Sequence, residues 1–467
     1  MIWTFAEQFG TQLISFGISI FLARLLLPAD FGVIALFGVV MGISSALIDG
    51  GLASSLIRTQ NPEESDYSTV FIFNVAMSFF LYGVVFFTAP YISLFYDLPI
   101  LTNVIRIYAI ILIISSFTSI QKIHFVKEMD FKTAFKIKLP SLLIGGISGV
   151  FFAYFGFGVW SLVYSAIIQS VISSVQYWIY SSWRPHLIFN LQKFKYHFNF
   201  GYKLTLSGLL NTVFENMYTI LIGKVFSVQQ LGFYNRADSL RQMPVKNLSG
   251  ALNKVSFPLF AKISHDDVKL RAVYKKMMGV VIFIIAPVLA VMVVGAEPLI
   301  RFLLTEKWLP AVPYFQILSI AGLLYPIHAY NLNILQVKGR SDLFLKLEVA
   351  KKILIIAVVA VAVQFGIYGL LWGQVLLSVL ALTINTYYTG KMINYKGWQQ
   401  MIDLLPAIAL AALIGGGLFI IDISFFKNLP DFLRLCFLTI IFLLLYLGLA
   451  FFLKFKELGY IKDLLKR

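Results

Sequence analysis

"LARLLLPADFG" at residues 22–32 and "IGKVFSVQQLG" at residues 222–232 stand 200 positions apart, with no gap needed to align them. Arg24 falls on Lys224, and Gly32 falls on Gly232. Each stretch reads as a helix end, one cation, and a Gly-centred turn into the next helix. At the same offset "GGL" (50–52) meets "GAL" (250–252), so the register holds through both helices of a hairpin. A chain that writes the same corner twice is built from two related halves.

Composition says what those halves are made of. The chain has 467 residues, 59% hydrophobic and 13% charged, with a mean hydropathy of +0.84. A soluble domain carries about 45–50% apolar and about 25% charged residues. Apolar runs of about 20 residues recur from end to end, long enough to cross a bilayer core of about 30 Å as helices. Short alternating segments of the membrane-barrel kind are not found. The fold class is therefore an all-α integral membrane protein.

Fourteen spans are expected, at about 2–26, 31–57, 68–95, 100–120, 138–155, 159–180, 201–225, 230–260, 277–303, 310–335, 344–364, 367–390, 403–421 and 432–454. They group as an N-terminal six-helix lobe (1–182), an amphipathic cytoplasmic linker (183–200), a C-terminal six-helix lobe (201–390), and two additional helices with a basic tail (391–467). The linker mixes Trp183, Leu187, Phe189, Phe194 and Phe198 with Arg184, Lys193, Lys195 and His197, a pattern that reads as an interfacial helix.

The net charge of +16 is distributed by side. Connections 27–31, 96–99, 156–158 and 364–367 hold no Lys or Arg, whereas 121–138, 183–198, 261–276, 338–342 and 454–467 are rich in them. Retention of cations on the cytoplasmic side explains this and places both termini there. The connection "RTQNPEESDY" (58–67) is acidic and stands out among the basic ones. The single cysteine, Cys436, excludes an internal disulfide and a cysteine metal site. No cleavable signal peptide is expected, because Glu7 and Arg24 interrupt the first apolar run. Without a phosphate loop, nucleotide fingerprint or catalytic triad pattern, hydrolysis-driven transport and a cofactor are not expected; the short external connections speak against an enzyme, and the histidines lack metal-like spacing.

A charge at bilayer depth costs on the order of 3 kcal/mol, so polar side chains within spans are informative. In span one, Gln8, Gln12, Ser15 and Ser19 form one stripe, bordered by Glu7. Span seven repeats it with Ser207, Asn211, Glu215 and Tyr218, and Glu215 is the offset partner of Ser15. Span two adds Ser45 and Asp49 one turn apart. Span eight carries Arg236, Asp238, Arg241, Lys246, Asn253 and Lys254. These residues either line a cationic aqueous cavity or bridge packed helices by hydrogen bonds. Arg24 and Lys224, near helix ends, stand either at an outer rim or where their side chains snorkel to the interface. His328, in span ten, is read as a packed, satisfied side chain or a proton carrier.

"FLARLLLPADFGVIAL", "WRP" (183–185), "GFYNRADSLRQMPVKNLSGALNKVSFPLFAKI" and "NLNILQVKGRSDLFLKLEVAKK" (331–352), in that order, resemble the oligosaccharide-lipid flippases of bacterial polysaccharide biosynthesis. These belong to the multidrug/oligosaccharidyl-lipid/polysaccharide exporter superfamily. The resemblance covers essentially the whole chain. It implies two six-helix lobes, a central cavity, two extra C-terminal helices and alternating access in the bacterial inner membrane. Members usually begin with a short basic stretch ahead of span one, which Met1 nearly abuts here.

The implied substrate is an undecaprenyl-pyrophosphate oligosaccharide destined for O-antigen, capsule or exopolysaccharide. On this reading Arg236, Arg241 and Lys254 meet the headgroup, Gln8, Gln12 and Asn211 meet sugar hydroxyls, and Asn253 lines the same cavity. Glu7, Asp49 or Glu215 couple H⁺ or Na⁺. A polysaccharide polymerase and export machinery are the implied partners, and nucleic acid is not one. Two other readings compete: a cation-coupled multidrug antiporter, which wants an acidic cavity, and a membrane polymerase or ligase, which wants a large external loop.

Overall fold

The computed structural model describes residues 10–465, leaving aside the side chains of Ala251, Val255 and 463–465. Every regular element among them is helical. The first are α1 (Thr11–Leu25), α2 (Pro28–Asp49), α3 (Leu52–Arg58) and α4 (Glu64–Tyr96). A broken span follows as α5 (Ile100–Tyr108), α6 (Ile110–Ser116) and α7 (Ser119–Lys127). Then come α8 (Phe131–Tyr154), α9 (Val159–Tyr180), α10 (Leu191–Glu215), α11 (Met217–Val225) and α12 (Val228–Lys262). The chain continues through α13 (Asp267–Val294), α14 (Ala296–Leu304), α15 (Val312–Val337), α16 (Ser341–Ala362) and α17 (Gly366–Met392). It ends with α18 (Gly397–Ile421), α19 (Asp431–Phe452) and α20 (Lys456–Leu465).

Each expected span overlies one to three helices, span one only through its described part from Gly10 onward. By length and apolarity alone, however, nine helical segments among the described residues qualify as spans, or ten if the bent pair Ile100–Ser116 and Ser119–Lys127 is one span. One of the nine, Ser341–Met392, contains both α16 and α17. The count of fourteen is thus not reached on these criteria. Expected spans 201–225 and 230–260 fall short because of the polar and charged side chains they carry.

Local chemistry sets the helix ends. Asn190 Oδ1 accepts from the backbone N–H of Gln192 at 2.9 Å and Lys193 at 3.1 Å, capping α10. Asp266 Oδ1 caps α13 through Lys269 N–H at 2.9 Å. The linker is therefore not a helix over its full length. Ser181–Asn190 is irregular around Pro185, and the amphipathic character belongs to the first turns of α10, which continue unbroken to Glu215. Expected span two is also divided, because Gly50 and Gly51 take positive φ of 53° and 68° between α2 and α3.

Two compact units divide the chain between Asn235 and Arg236, inside α12. In the first, α8 and α9 pack closely. A Cβ on Gly145 would stand 2.6 Å from Gln169 Cβ, and Ser165 Oγ donates to the Gly145 carbonyl at 2.7 Å. This is the small-residue packing of membrane helices. Helices α10 and α11, expected to open the second lobe, pack on α2, α3 and α4 of this same unit. In the second unit, a core including Tyr274, Ile282, Tyr330, Leu404 and Phe442 joins α13, α15, α18 and α19.

Candidate functional site

Helix α2 is held at both ends by close backbone contact. A Cβ on Gly32 would lie 1.9 Å from the Val228 carbonyl oxygen, and a Cβ on Gly232 would lie 1.9 Å from that of Pro28. Because 228 is 28 plus 200, the two contacts are images of each other under the sequence repeat. Gly32 and Gly232 do not serve the turn, as the sequence reading held. Neither has positive φ, and each is the fifth residue of its helix, where the absent side chain lets backbones meet. At the other end a Cβ on Gly51 would stand 2.4 Å from the Gly201 oxygen, and a Cβ on Gly201 2.2 Å from the Gly50 oxygen.

Charged groups join the helices around α2 to one another. Lys224, in the last turn of α11, reaches Asp97 Oδ2 at 3.3 Å and lies 5.0 Å from the centre of the Phe95 ring. Arg24 is exposed in the last turn of α1. At the opposite end, Lys193 Nζ donates to Glu63 at 2.6 Å and to Asp66 at 2.9 Å. His197, fully buried, bonds Asp66 Oδ1 at 3.1 Å and Ser55 Oγ at 2.8 Å. Trp183 Nε1 donates to Glu64 at 2.8 Å. The Lys193 hydrogen bond holds the Glu63 carboxyl below its usual range. Burial alone would lower the Lys193 ammonium, and its bonds to Glu63 and Asp66 outweigh that and raise it. The acidic connection 58–67 and the basic segment 183–198 therefore share one end of the unit and neutralise each other. The sequence reading missed this pairing; the opposite charge of the two segments was its signal.

Between these ends lies an accessible polar face. Ser207, Asn211 and Glu215 on α10 are all exposed, as are Ser45 and Asp49 on α2 and Ser15 on α1, while Gln12 and Ser19 are half-buried. A Cβ on Gly42 would stand 3.2 Å from Thr212 Cγ2, so the faces of α2 and α10 adjoin. Accessible polar groups at span depth require water or protein rather than hydrocarbon. Asp49 also lines a cavity of about 280 Å³ with Ser45, Asn74, Ser119 and Lys122. There Asn74 Nδ2 donates to Ser119 Oγ at 3.2 Å, while its buried Oδ1 has no partner. Lys122 Nζ lies 5.4 Å from the centre of the Tyr177 ring. Glu7 and Gln8 lie outside the described residues.

In the second unit, Arg236 is buried with its guanidinium 5.5 Å from the centre of the Trp308 ring, a position better suited to fixing α12 than to meeting a ligand. Arg241 pairs with Asp238 at 2.5 Å. Asn253 Oδ1 accepts from Asn333 Nδ2 at 2.7 Å, and Lys254 is exposed. His328 sits between Ser378 Oγ at 3.1 Å and Asn385 Nδ2 at 3.2 Å, which accounts for both ring nitrogens. No group of three or more His, Cys, Asp or Glu among the described residues could hold a metal ion.

A family model described as "Polysaccharide biosynthesis protein" matches residues 21–313. The teichuronic acid biosynthesis protein TuaB of Bacillus subtilis is 28% identical over 380 residues, 79% of this chain and 77% of that one. The lipopolysaccharide biosynthesis protein WzxC of Escherichia coli is 25% identical over 388 residues, 82% of this chain and 78% of that one. Among solved structures, the lipid II flippase MurJ in an inward closed conformation superposes with a TM-score of 0.74 at 13% identity, covering 96% of this chain and 99% of that one. That likeness is one of fold.

Proposed function

This chain belongs to the polysaccharide biosynthesis protein family, and on that premise we propose that it flips undecaprenyl-pyrophosphate-linked oligosaccharide across the bacterial inner membrane by alternating access. The observation that carries the reading is the accessible polar face of α2 and α10, with glycine contacts at each end of α2. A lipid-linked glycan must take its pyrophosphate and hydroxyls through a medium that penalises every unsatisfied polar group. A watered face supplies partners for them while the lipid tail stays in the bilayer.

Arg241 and Lys254 are assigned to the anionic headgroup, as charge-assisted donors. Gln12 and Asn211 are assigned to sugar hydroxyls, and Asp49 and Glu215 to H⁺ or Na⁺ coupling. Arg24 and Lys224 are assigned to the outer rim. The basic connections are assigned to the cytoplasm. The cationic character of α12 suits an anionic headgroup better than a cationic drug. The test is deletion of the gene: surface polysaccharide should disappear while undecaprenyl-linked oligosaccharide accumulates on the cytoplasmic leaflet. Normal surface polysaccharide in the deletion strain would overturn the reading.

A further inference from the structure

Where α17 ends and α18 begins, the second unit holds a cavity of about 750 Å³ that the transport reading does not use. Its walls are mostly apolar, with Leu382 and Met401 beside Thr383 and Thr386, and Tyr387, Lys391, Lys396 and Trp398 also line it. Trp398 is 61% and Tyr387 55% exposed. Exposed apolar side chains continue along both helices, with Leu376 and Val379 on α17 and Ile402 and Leu405 on α18. On apolar spans such side chains face hydrocarbon, and Trp and Tyr collect at the hydrocarbon–water boundary. The mouth of the cavity therefore opens at the membrane interface, not into bulk water.

The charges there are one-sided. Lys391 Nζ donates to Tyr387 Oη at 2.7 Å and sits 4.3 Å from the centre of its ring, so the ammonium is held at the rim. Lys396 is exposed. Arg271 donates to the Asn394 carbonyl at 3.0 Å in the connecting turn. The nearby carboxylate, Asp403, is already bonded to Lys275 at 2.7 Å and to Tyr395 Oη at 2.5 Å. An apolar cleft with a cationic, aromatic rim at a membrane interface matches an amphiphile with an anionic head. We propose that this cavity binds an anionic glycerophospholipid, with its phosphate on Lys391 and Lys396 and its acyl chains on the exposed faces of α17 and α18. The site is independent of the transported substrate.

The test uses the full-length protein in detergent, stripped of lipid and titrated by native mass spectrometry. Phosphatidylglycerol should bind at least tenfold more tightly than phosphatidylcholine of the same chains. Lys391→Gln with Lys396→Gln should weaken phosphatidylglycerol by roughly 30-fold, about fivefold for each lysine, and the Arg pair should restore it. A photoreactive phosphatidylglycerol should label residues 387–401 of the unaltered protein, which keeps the proposal testable if the double variant misfolds. Equal binding of the two lipids, or label elsewhere, overturns the site. Competition by millimolar inorganic phosphate would make it a free-anion site. Preferential displacement by undecaprenyl pyrophosphate would make it a site for the carrier. Either result also overturns the proposal.

Discussion

Gly32 and Gly232 occupy equivalent positions in a 200-residue repeat and meet each other's helix. Each lacks the Cβ that would otherwise stand 1.9 Å from the other helix's backbone, at the Val228 and Pro28 carbonyls respectively. The contact replaces the turn role suggested by sequence with a packing role. It also explains why both copies carry the glycine.

Substituting either glycine by Ala should push the two backbones apart, because backbone atoms cannot swing aside as a side chain can. Overpacking of this kind costs roughly 1–3 kcal/mol. Gly32→Ala and Gly232→Ala should lower the melting temperature in detergent and reduce surface polysaccharide when expressed in a deletion strain. Gly38→Ala, with nothing within 4 Å of its Cβ, should do neither.

The salt bridge between Asp422 and Arg434 is the most deeply buried ion pair among the described residues, bidentate with both contacts at 2.5 Å. With Glu297, Arg301 and Asp431 it joins α14, α19 and the short π-helical turn after α18. Asp422→Asn would leave a buried guanidinium without its charge partner, at a cost of about 3–5 kcal/mol. Thermal unfolding should show that loss, with Glu306→Gln, outside this network, serving as a control.

The Lys193–Glu63 pair should give a pH-dependent difference. The folded Glu63 carboxyl lies below its ordinary value of 4.5, so its contribution is present above that value and lost as pH falls through the lower folded one. The melting-temperature gap between the unaltered protein and Glu63→Gln should therefore be constant from neutral pH down to about 5 and close as the pH falls below 4.5. His197→Ala should be costlier, about 1–3 kcal/mol, because Ser55 and Asp66 lose a buried partner.

Replacing Arg241 and Lys254 together by Ala should abolish polysaccharide export while the protein remains in the membrane at normal level. Asp238 loses its partner in that variant, so Asp238→Asn should accompany it to separate charge balance from ligand contact. Unchanged export would remove both residues from the headgroup assignment.

Much of this was legible in the chain. Apolar run length placed nearly every helix, and the offset of 200 picked out the corner at which Gly32 and Gly232 meet. Charge and polarity at span depth pointed to α10 and α12, the two helices of more than 18 residues among the described ones that are too polar to count as spans. What stayed hidden is what depends on partners far away in sequence. His197 was one of five histidines without metal spacing until Asp66, 131 residues away, supplied its bond. Hydrophobic pattern also could not show that Asn190 starts α10 and leaves 181–190 irregular, because the start is decided by an Asn cap after a proline. The acidic connection 58–67 looked like an exception to the charge rule and is instead the counterpart of the basic segment.

Transport itself is tested most directly in liposomes holding the purified full-length protein and undecaprenyl-pyrophosphate oligosaccharide labelled on the glycan, with a membrane-impermeant reagent reading which leaflet exposes the label. Protein-dependent transfer of the glycan between leaflets is expected, lost in the Arg241→Ala, Lys254→Ala double variant. Transfer no faster than in empty liposomes, with the protein folded and correctly inserted, would contradict it.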